Sequence, residues 1–184
     1  MKLLAISGSL RAASLNTAVL HAARRLAPAG VEIELFDGID QLPFFNSDLE
    51  GGHLPAQVVR FRAAIGAADG VLISSPEYAR GVSGVMKNAL DWLVGSQEFP
   101  GKVVALINTS PRATHALAAL TITLETMSAH LVKNASITLP LLGTAHDADS
   151  IAADPELASL LRNALEHFSR EIASLNPASL PSRA

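Results

Sequence analysis

The stretch Ile6-Ser7-Gly8-Ser9-Leu10-Arg11-Ala12-Ala13-Ser14-Leu15-Asn16 follows a short apolar run and precedes a helical pattern. A strand that turns through Gly-Ser and re-enters as a helix leaves backbone N–H groups free at the turn, and the helix dipole adds partial positive charge there. Ser9, Ser14 and Asn16 add side-chain donors and Arg11 adds a cation, while no acidic residue lies between Met1 and Val31. These residues describe an anion site. Helix capping alone accounts for Ser14 but not for Arg11 and Asn16 beside it. The loop lacks Gly-Lys-Ser/Thr, so it is no Walker loop, and with Gly8 alone it lacks the G-x-G-x-x-G of a dinucleotide fold. A monophosphate suits it better than a pyrophosphate. Asp37, at the end of the second strand, then reads as a loop residue and not as a ribose ligand.

Outward from this loop, strands and helices alternate. The apolar run Lys2–Ser7 reads as a buried strand, and Leu15, Val19, Ala22, Ala23 and Leu26 put a helix over 14–26. A second strand is predicted at 31–36, a loop over 37–55 held to the core by Phe44-Phe45, and a helix at 57–68. A strand at 71–74 and a helix at 82–94 follow, then a strand at 102–108, a helix at 116–127 and a fifth strand at 131–139. Asp154 as N-cap and Pro155 at the first helical position open a last helix with a clean apolar stripe. Such alternation predicts an α/β fold, a parallel sheet with helices on both faces. One domain is expected over 1–175, followed by a frayed tail over 176–184.

Composition narrows the function. The 184 residues are 49% hydrophobic and 17% charged, with a net charge of −3 and no cysteine. Disulfides, thiolate metal sites and thiol catalysis are excluded. The mixed charges argue against nucleic acid as a partner. No apolar run reaches spanning length, so no membrane association and a cytoplasmic location are expected. The six histidines show no metal-ligand spacing.

In a parallel sheet, ligands bind at the carboxyl ends of the strands, which brings two further loops to the first. The stretch from Ser74 to Gly84 reads S-S-P-E-Y-A-R-G-V-S-G. Tyr78, the chain's single tyrosine, could lie along a flat ring there, with backbone N–H groups of residues 77–79 at its polar edge. A tight connection with a packed tyrosine is the alternative. Gly-Val-Ser83-Gly is one residue short of a nucleophile elbow, and no His and acid are placed to activate Ser83. The third loop, N-T-S-P-R-A-T-H from Asn108, offers Thr109, Ser110 and Arg112 as donors.

Two of these stretches resemble a known family. G-S-L-R-A-A-S-L-N is similar to the G-S-L-R-x-x-S-x-N phosphate loop of the NADPH-dependent FMN reductases. P-E-Y-A-R-G-V-S-G-V-M-K-N-A-L-D-W-L resembles their P-E-Y-N-x-x-x-P-G-x-L-K-N-A-x-D-W. The resemblance runs from Lys2 to about Leu139. It implies a flavodoxin-like three-layer sandwich with strand order 2-1-3-4-5. It implies that Ser9, Arg11, Ser14, Leu15 and Asn16 hold the FMN phosphate, that Pro76, Glu77, Tyr78 and Ala79 meet the isoalloxazine ring, and that Ser110 and Arg112 close the third side. NADPH or NADH would reduce the flavin, which would pass electrons by a ping-pong mechanism to a quinone, flavin, azo compound or metal oxyanion. No side chain need act as acid, base or nucleophile. A flavodoxin-like electron carrier and a non-catalytic flavin-binding module are the alternatives. Ala79 stands where the family has Asn, which removes a side-chain contact to the flavin. Ser83 stands where it has Pro, which should loosen the loop before the helix. In helix 82–94, Val82, Val85, Met86, Ala89, Leu90, Trp92, Leu93 and Val94 span an apolar arc of about 200°, twice an ordinary stripe. With the family's habit of association, this predicts a homodimer or homotetramer with helix 82–94 in the interface.

Overall fold

The computed structural model describes residues 1–52 and 54–175; the tail predicted over 176–184 lies outside the described residues. Strand β1 (Lys2–Ser7) leads through the glycine-serine turn into α1 (Leu15–Arg25) and then β2 (Glu32–Leu35). Helix α2 (Ala56–Ala67), β3 (Gly70–Ser74), a short hairpin of β4 (Glu77–Tyr78) and β5 (Gly81–Val82), and α3 (Gly84–Val94) follow. The second half holds β6 (Val103–Asn108), α4 (Thr114–Thr126), β7 (His130–Leu131), β8 (Ile137–Thr138), α5 (Ala148–Ala153) and α6 (Pro155–Leu175). The main sheet runs β2-β1-β3-β6-β7 with every pairing parallel. Allowing for the two hairpin strands, which take numbers but lie outside it, this is the predicted order 2-1-3-4-5.

Alternation along each strand divides the core in two. Leu3, Ala5, Leu72, Val103 and Ala105 face α1, α5 and α6. Leu4, Ile6, Val71, Ile73, Val104 and Leu106 face α2, α3 and α4. All are buried, as strands of a doubly covered parallel sheet must be. Gly70 opens β3 because α6 lies directly on it: a Cβ there would sit 2.6 Å from Ile172 Cδ1 and 2.9 Å from Phe168 Cζ.

Three sequence expectations change. The fifth strand predicted over 131–139 is two short pieces separated by a 3-10 turn at Lys133–Ala135. Ser136 is the cause, since its Oγ donates to Val132 O at 3.0 Å and accepts from Leu106 N at 3.1 Å, so a side chain replaces a backbone partner in the ladder. Phe44-Phe45 does not anchor as a pair. Phe45 meets Trp92 edge-on at 5.1 Å between centroids, whereas Phe44 is 90% exposed.

The wide apolar arc of α3 is met within the chain. Segment 37–55 folds over it: Ile39, Leu42, Phe45 and Leu54 join the same cluster as Met86, Leu90, Trp92 and Leu93. Trp92 Nε1 donates to Pro43 O at 2.7 Å, and Asn88 Nδ2 reaches the same oxygen at 3.0 Å while its Oδ1 accepts from Phe45 N at 2.8 Å. The surplus that pointed to a subunit interface is therefore covered by the chain's own loop, and of these residues Val94 is the one left strongly exposed.

Candidate active site

Because β1, β3 and β6 run side by side and parallel, their carboxyl ends finish at one edge of the sheet. Ser7 pairs with Ser74 in that register, and Gly8 N donates to Ser74 O at 2.8 Å, so the first two loops leave the sheet together. The edge opens into a cleft of about 970 Å³, within the range of cofactor sites. Ser9, Arg11, Ser14, Leu15, Asn16, Pro76, Glu77, Tyr78, Ser110 and Arg112 all line it. Ala79 does not.

Three serine hydroxyls of this cleft share one arrangement. Ser9 Oγ accepts from Arg11 N at 3.4 Å, Ser14 Oγ from Thr17 N at 3.3 Å, and Ser110 Oγ from Arg112 N at 3.2 Å. A hydroxyl carries one proton and two acceptor sites. With the backbone occupying an acceptor site in each case, the proton remains to be given to a ligand. Ser14 is also the N-cap of α1, so its proton sits at the positive end of that helix. Arg11 and Arg112 are exposed, and among the described residues neither guanidinium has an ion-pair partner. Each of the two carboxylates on the walls accepts hydrogen bonds from within the chain. Glu77 Oε2 accepts from Ala116 N at 2.9 Å, in the first turn of α4. Asp147 accepts from Ser150 N at 2.8 Å and from its hydroxyl, and these bonds hold its carboxyl below the usual range. The cleft thus offers donors and cations to an acceptor-rich anion, which is the chemistry of a phosphate.

Two predicted ligands turn inward instead. Asn16 is buried, and its Oδ1 accepts from Ser74 Oγ at 2.9 Å and Thr109 Oγ1 at 3.3 Å. One carbonyl thereby ties α1 to the ends of β3 and β6, which leaves the amide Nδ2 as the group Asn16 can offer a ligand. Thr109, read from sequence as a donor toward the cleft, spends its proton on this knot. Leu15, the first residue of α1, is half-buried and packs against the core with its side chain.

The second loop is a β-hairpin. Tyr78 pairs with Gly81 across a two-residue turn in which Ala79 has φ 50° and Arg80 φ 62°. Both are left-handed, as a type I′ turn requires, and such turns favour Asn-Gly. An Asn at position 79, as the resemblance expects, would suit this backbone conformation, and Ala79 is not among the residues lining the cleft. Left-handed backbone costs a residue with a Cβ about 1–2 kcal/mol. The double variant Ala79→Asn, Arg80→Gly should recover about 1 kcal/mol and raise the thermal midpoint by about 2–4 °C. Calorimetry checks this; an unchanged or lower midpoint would mean the turn carries no strain.

Ser83 departs from expectation in the opposite sense. Far from loosening the loop, it is 1% exposed, caps α3 by accepting from Met86 N at 3.4 Å, and donates to Gly8 O at 2.7 Å.

The description "NADPH-dependent FMN reductase" belongs to the family model that matches residues 1–141. An NAD(P)H-dependent FMN reductase of Pseudomonas aeruginosa is 36% identical over 171 residues, covering 90% of this chain and 92% of that protein. The chain belongs to the NADPH-dependent FMN reductase family. It is an oxidoreductase, and FMN and NADPH are the cofactor and co-substrate that the family's name carries. A quinone reductase of Pseudomonas putida is 39% identical over 113 residues, 59% of each chain. Among solved structures, FerB of Paracoccus denitrificans, a flavoenzyme NAD(P)H:(acceptor) oxidoreductase, has a TM-score of 0.73 at 28% identity, covering 92% of this chain and 97% of that one.

Part of the site lies beyond the stretch the family model matches. Residues 142–148 form a further wall of the cleft, facing Ala18 and His21 of α1. Leu141 N donates to Thr109 O at 3.2 Å, which brings this segment back over the third loop. Helix α5 follows at once, held by a capping box in which Asp147 and Ser150 satisfy each other's backbone. Two cleft-lining residues, His21 and His146, had no signal in the sequence: neither has ligand spacing, and the packing of α5 on α1 puts both on one cleft.

Proposed function

We propose that the cleft binds FMN, with its phosphate at residues 9–16 and its ring between the hairpin and residues 109–112. The observation that carries this reading is the set of three serine hydroxyls, each accepting from a backbone N–H and so left with a proton to donate, beside two arginines that have no ion-pair partner among the described residues. Bound FMN supplies the redox chemistry, accepting hydride from NADPH or NADH and passing electrons to a quinone, free flavin, azo compound or metal oxyanion. The chain's part is positioning. Ser9, Ser14, Arg11 and the Asn16 amide hold the phosphate, Pro76 and Tyr78 flank the ring, and Ser110 and Arg112 close the third side. Glu77 contributes by fixing the hairpin to the start of α4. The exposure of Tyr78, 52%, supports a ring position whose outer side would be open to solvent. One open face serving donor and acceptor in turn gives ping-pong kinetics and a loose choice of acceptor.

Titration with FMN, followed by quenching of flavin fluorescence, tests the assignment. Wild-type protein should bind, and Arg11→Ala should weaken binding by about 1.5–3 kcal/mol, the worth of a hydrogen bond to a charged group. Equal affinity in the variant would move the phosphate away from this loop.

Self-association into a homodimer or homotetramer is part of the same proposal. Its support is now the exposure of Phe44 (90%) and Val94 (64%) on the two elements that cover each other, and not the apolar arc. Sedimentation should give a multiple of 19.2 kDa; a monomer at micromolar concentration would remove this part.

A further inference from the structure

The cleft continues past the phosphate loop. On α1, Ser14, Thr17, Ala18 and His21 fall at helical spacing on the face that lines it. From Ser14 to His21 the helix rises about 10 Å. Residues 142–148 stand opposite, and beyond His21 the side chain of Arg25 pairs with Asp149 of α5, which joins the two walls. FMN ends at its phosphate, so the FMN reading does not use this length of the cleft.

Its chemistry differs from that of the loop. Asp147 uses one carboxylate oxygen to cap α5: Oδ1 accepts from Ser150 N at 2.8 Å and from Ser150 Oγ at 2.8 Å. Among the described residues no hydrogen bond reaches Oδ2, which leaves a charged acceptor for a ligand's hydroxyl. Ser150 Oγ gives its proton to Asp147 and accepts from Asp147 N at 2.9 Å, so its contact with His146 Nδ1 at 3.3 Å makes that nitrogen the donor. His146 Nε2 is then the ring nitrogen left for a ligand, and His21 lines the facing wall. Leu142, 52% exposed, and Ala145 add apolar surface. A carboxylate acceptor, two imidazoles and an apolar surface adjoining an anion site match a nucleoside, which joins a diol and a flat base to a phosphate. An acidic side chain is also how dinucleotide folds read an unmodified ribose.

We propose that the groove between α1 and residues 142–148 is an adenosine subsite, in which Asp147 Oδ2 accepts from the ribose hydroxyls and the base lies over Leu142 and Ala145 beside His21 and His146. The inference rests on the FMN reading above, which puts a phosphate at the near end of the groove. Two molecules carry such an adenosine: FAD, as an extension of the flavin's own phosphate, and the nicotinamide dinucleotide. A phosphate on the ribose 2′ oxygen would remove a hydroxyl donor and set like charge against the Asp147 carboxylate. With the dinucleotide as occupant, the subsite therefore favours NADH over NADPH.

Two calorimetric titrations separate the sources: apoprotein with FMN and with FAD, and FMN-loaded protein with ADP-ribose and with ADP-ribose 2′-phosphate. Asp147→Asn keeps an oxygen to cap α5 and puts an NH2 group where the acceptor was. With FAD as occupant, FAD binds about tenfold more tightly than FMN, and Asp147→Asn cancels that advantage while FMN affinity stays within about twofold. With the dinucleotide as occupant, ADP-ribose binds the FMN-loaded protein and its 2′-phosphate binds about tenfold more weakly. Asp147→Asn then weakens ADP-ribose about tenfold and narrows the ratio, as expected for one hydrogen bond to a charged group. Either pattern upholds the subsite and names its occupant. His21→Ala, on the other wall, should lower the same affinity about threefold, the worth of a neutral hydrogen bond, and decides the matter if circular dichroism shows the Asp147 variant unfolded. FAD no tighter than FMN together with no binding of ADP-ribose, or affinities that both variants leave unchanged, would overturn the proposal alone. Apoprotein that binds no FMN would overturn the FMN reading, and the subsite with it.

Discussion

Gly8→Ala is expected to destabilise the protein by about 1–3 kcal/mol and to weaken FMN binding by at least the amount of the Arg11 variant. The cost is that of forcing a methyl group into a packed site. The added Cβ would lie 2.8 Å from Ser75 Cβ as well as 2.3 Å from its Oγ. The Oγ can rotate away, but the Cβ is fixed to the end of β3, so the backbone must shift. That shift breaks the bonds from Gly8 N to Ser74 O and from Ser83 to Gly8 O, on which the relative position of two loops depends. Thermal unfolding should show a midpoint lowered by about 2–4 °C for each kcal/mol. Wild-type stability in this variant would mean that the two loops are not in fixed contact.

A larger effect on stability is expected from Trp92→Ala, about 3–5 kcal/mol. Trp92 is fully buried, anchors Phe45 and bonds Pro43, and so holds segment 37–55 against α3. Against a total stability of about 5–15 kcal/mol, such a loss leaves a marginal or unfolded chain. Trp92→Phe separates the two contributions. It keeps most of the packing and gives up one hydrogen bond, and Pro43 O retains Asn88 Nδ2 as a donor. Its cost should be near 1 kcal/mol. Urea denaturation of the two variants checks the order, and similar losses in both would place the weight on the hydrogen bond.

The residues that were legible in the sequence are those whose structure is decided locally. The apolar runs of β1, β3 and β6 need only the period of a buried strand. The Asp154-Pro155 start of α6 needs only capping chemistry, and Asp154 Oδ1 does accept from Leu157 N at 2.9 Å. Gathering three loops at one edge follows from parallel strands alone. What was not legible depends on partners far away in the chain. Ser136 breaks the fifth strand by bonding Leu106, thirty positions away, and nothing near Ser136 announces it. The hairpin at Tyr78 was hidden because Ala79-Arg80 fills a turn normally read from Asn-Gly. Helix α5 was hidden because its capping box uses Asp and Ser where the usual signal is Ser/Thr and Glu. Asn16 and Thr109 were recognised as polar groups near the site, but whether a side chain faces a ligand or a neighbouring strand end is settled by packing. The same holds for Ser83, whose place in the position of a proline suggested looseness and whose hydroxyl supplies a tie.

The most direct test of a flavin site at this sheet edge is anaerobic mixing of the FMN-loaded protein with NADPH, then with a quinone, followed by absorbance. Loss of the flavin bands on the first addition and their return on the second is the expected result. A protein that takes up no FMN, or whose flavin stays oxidised with both NADPH and NADH, would contradict the account.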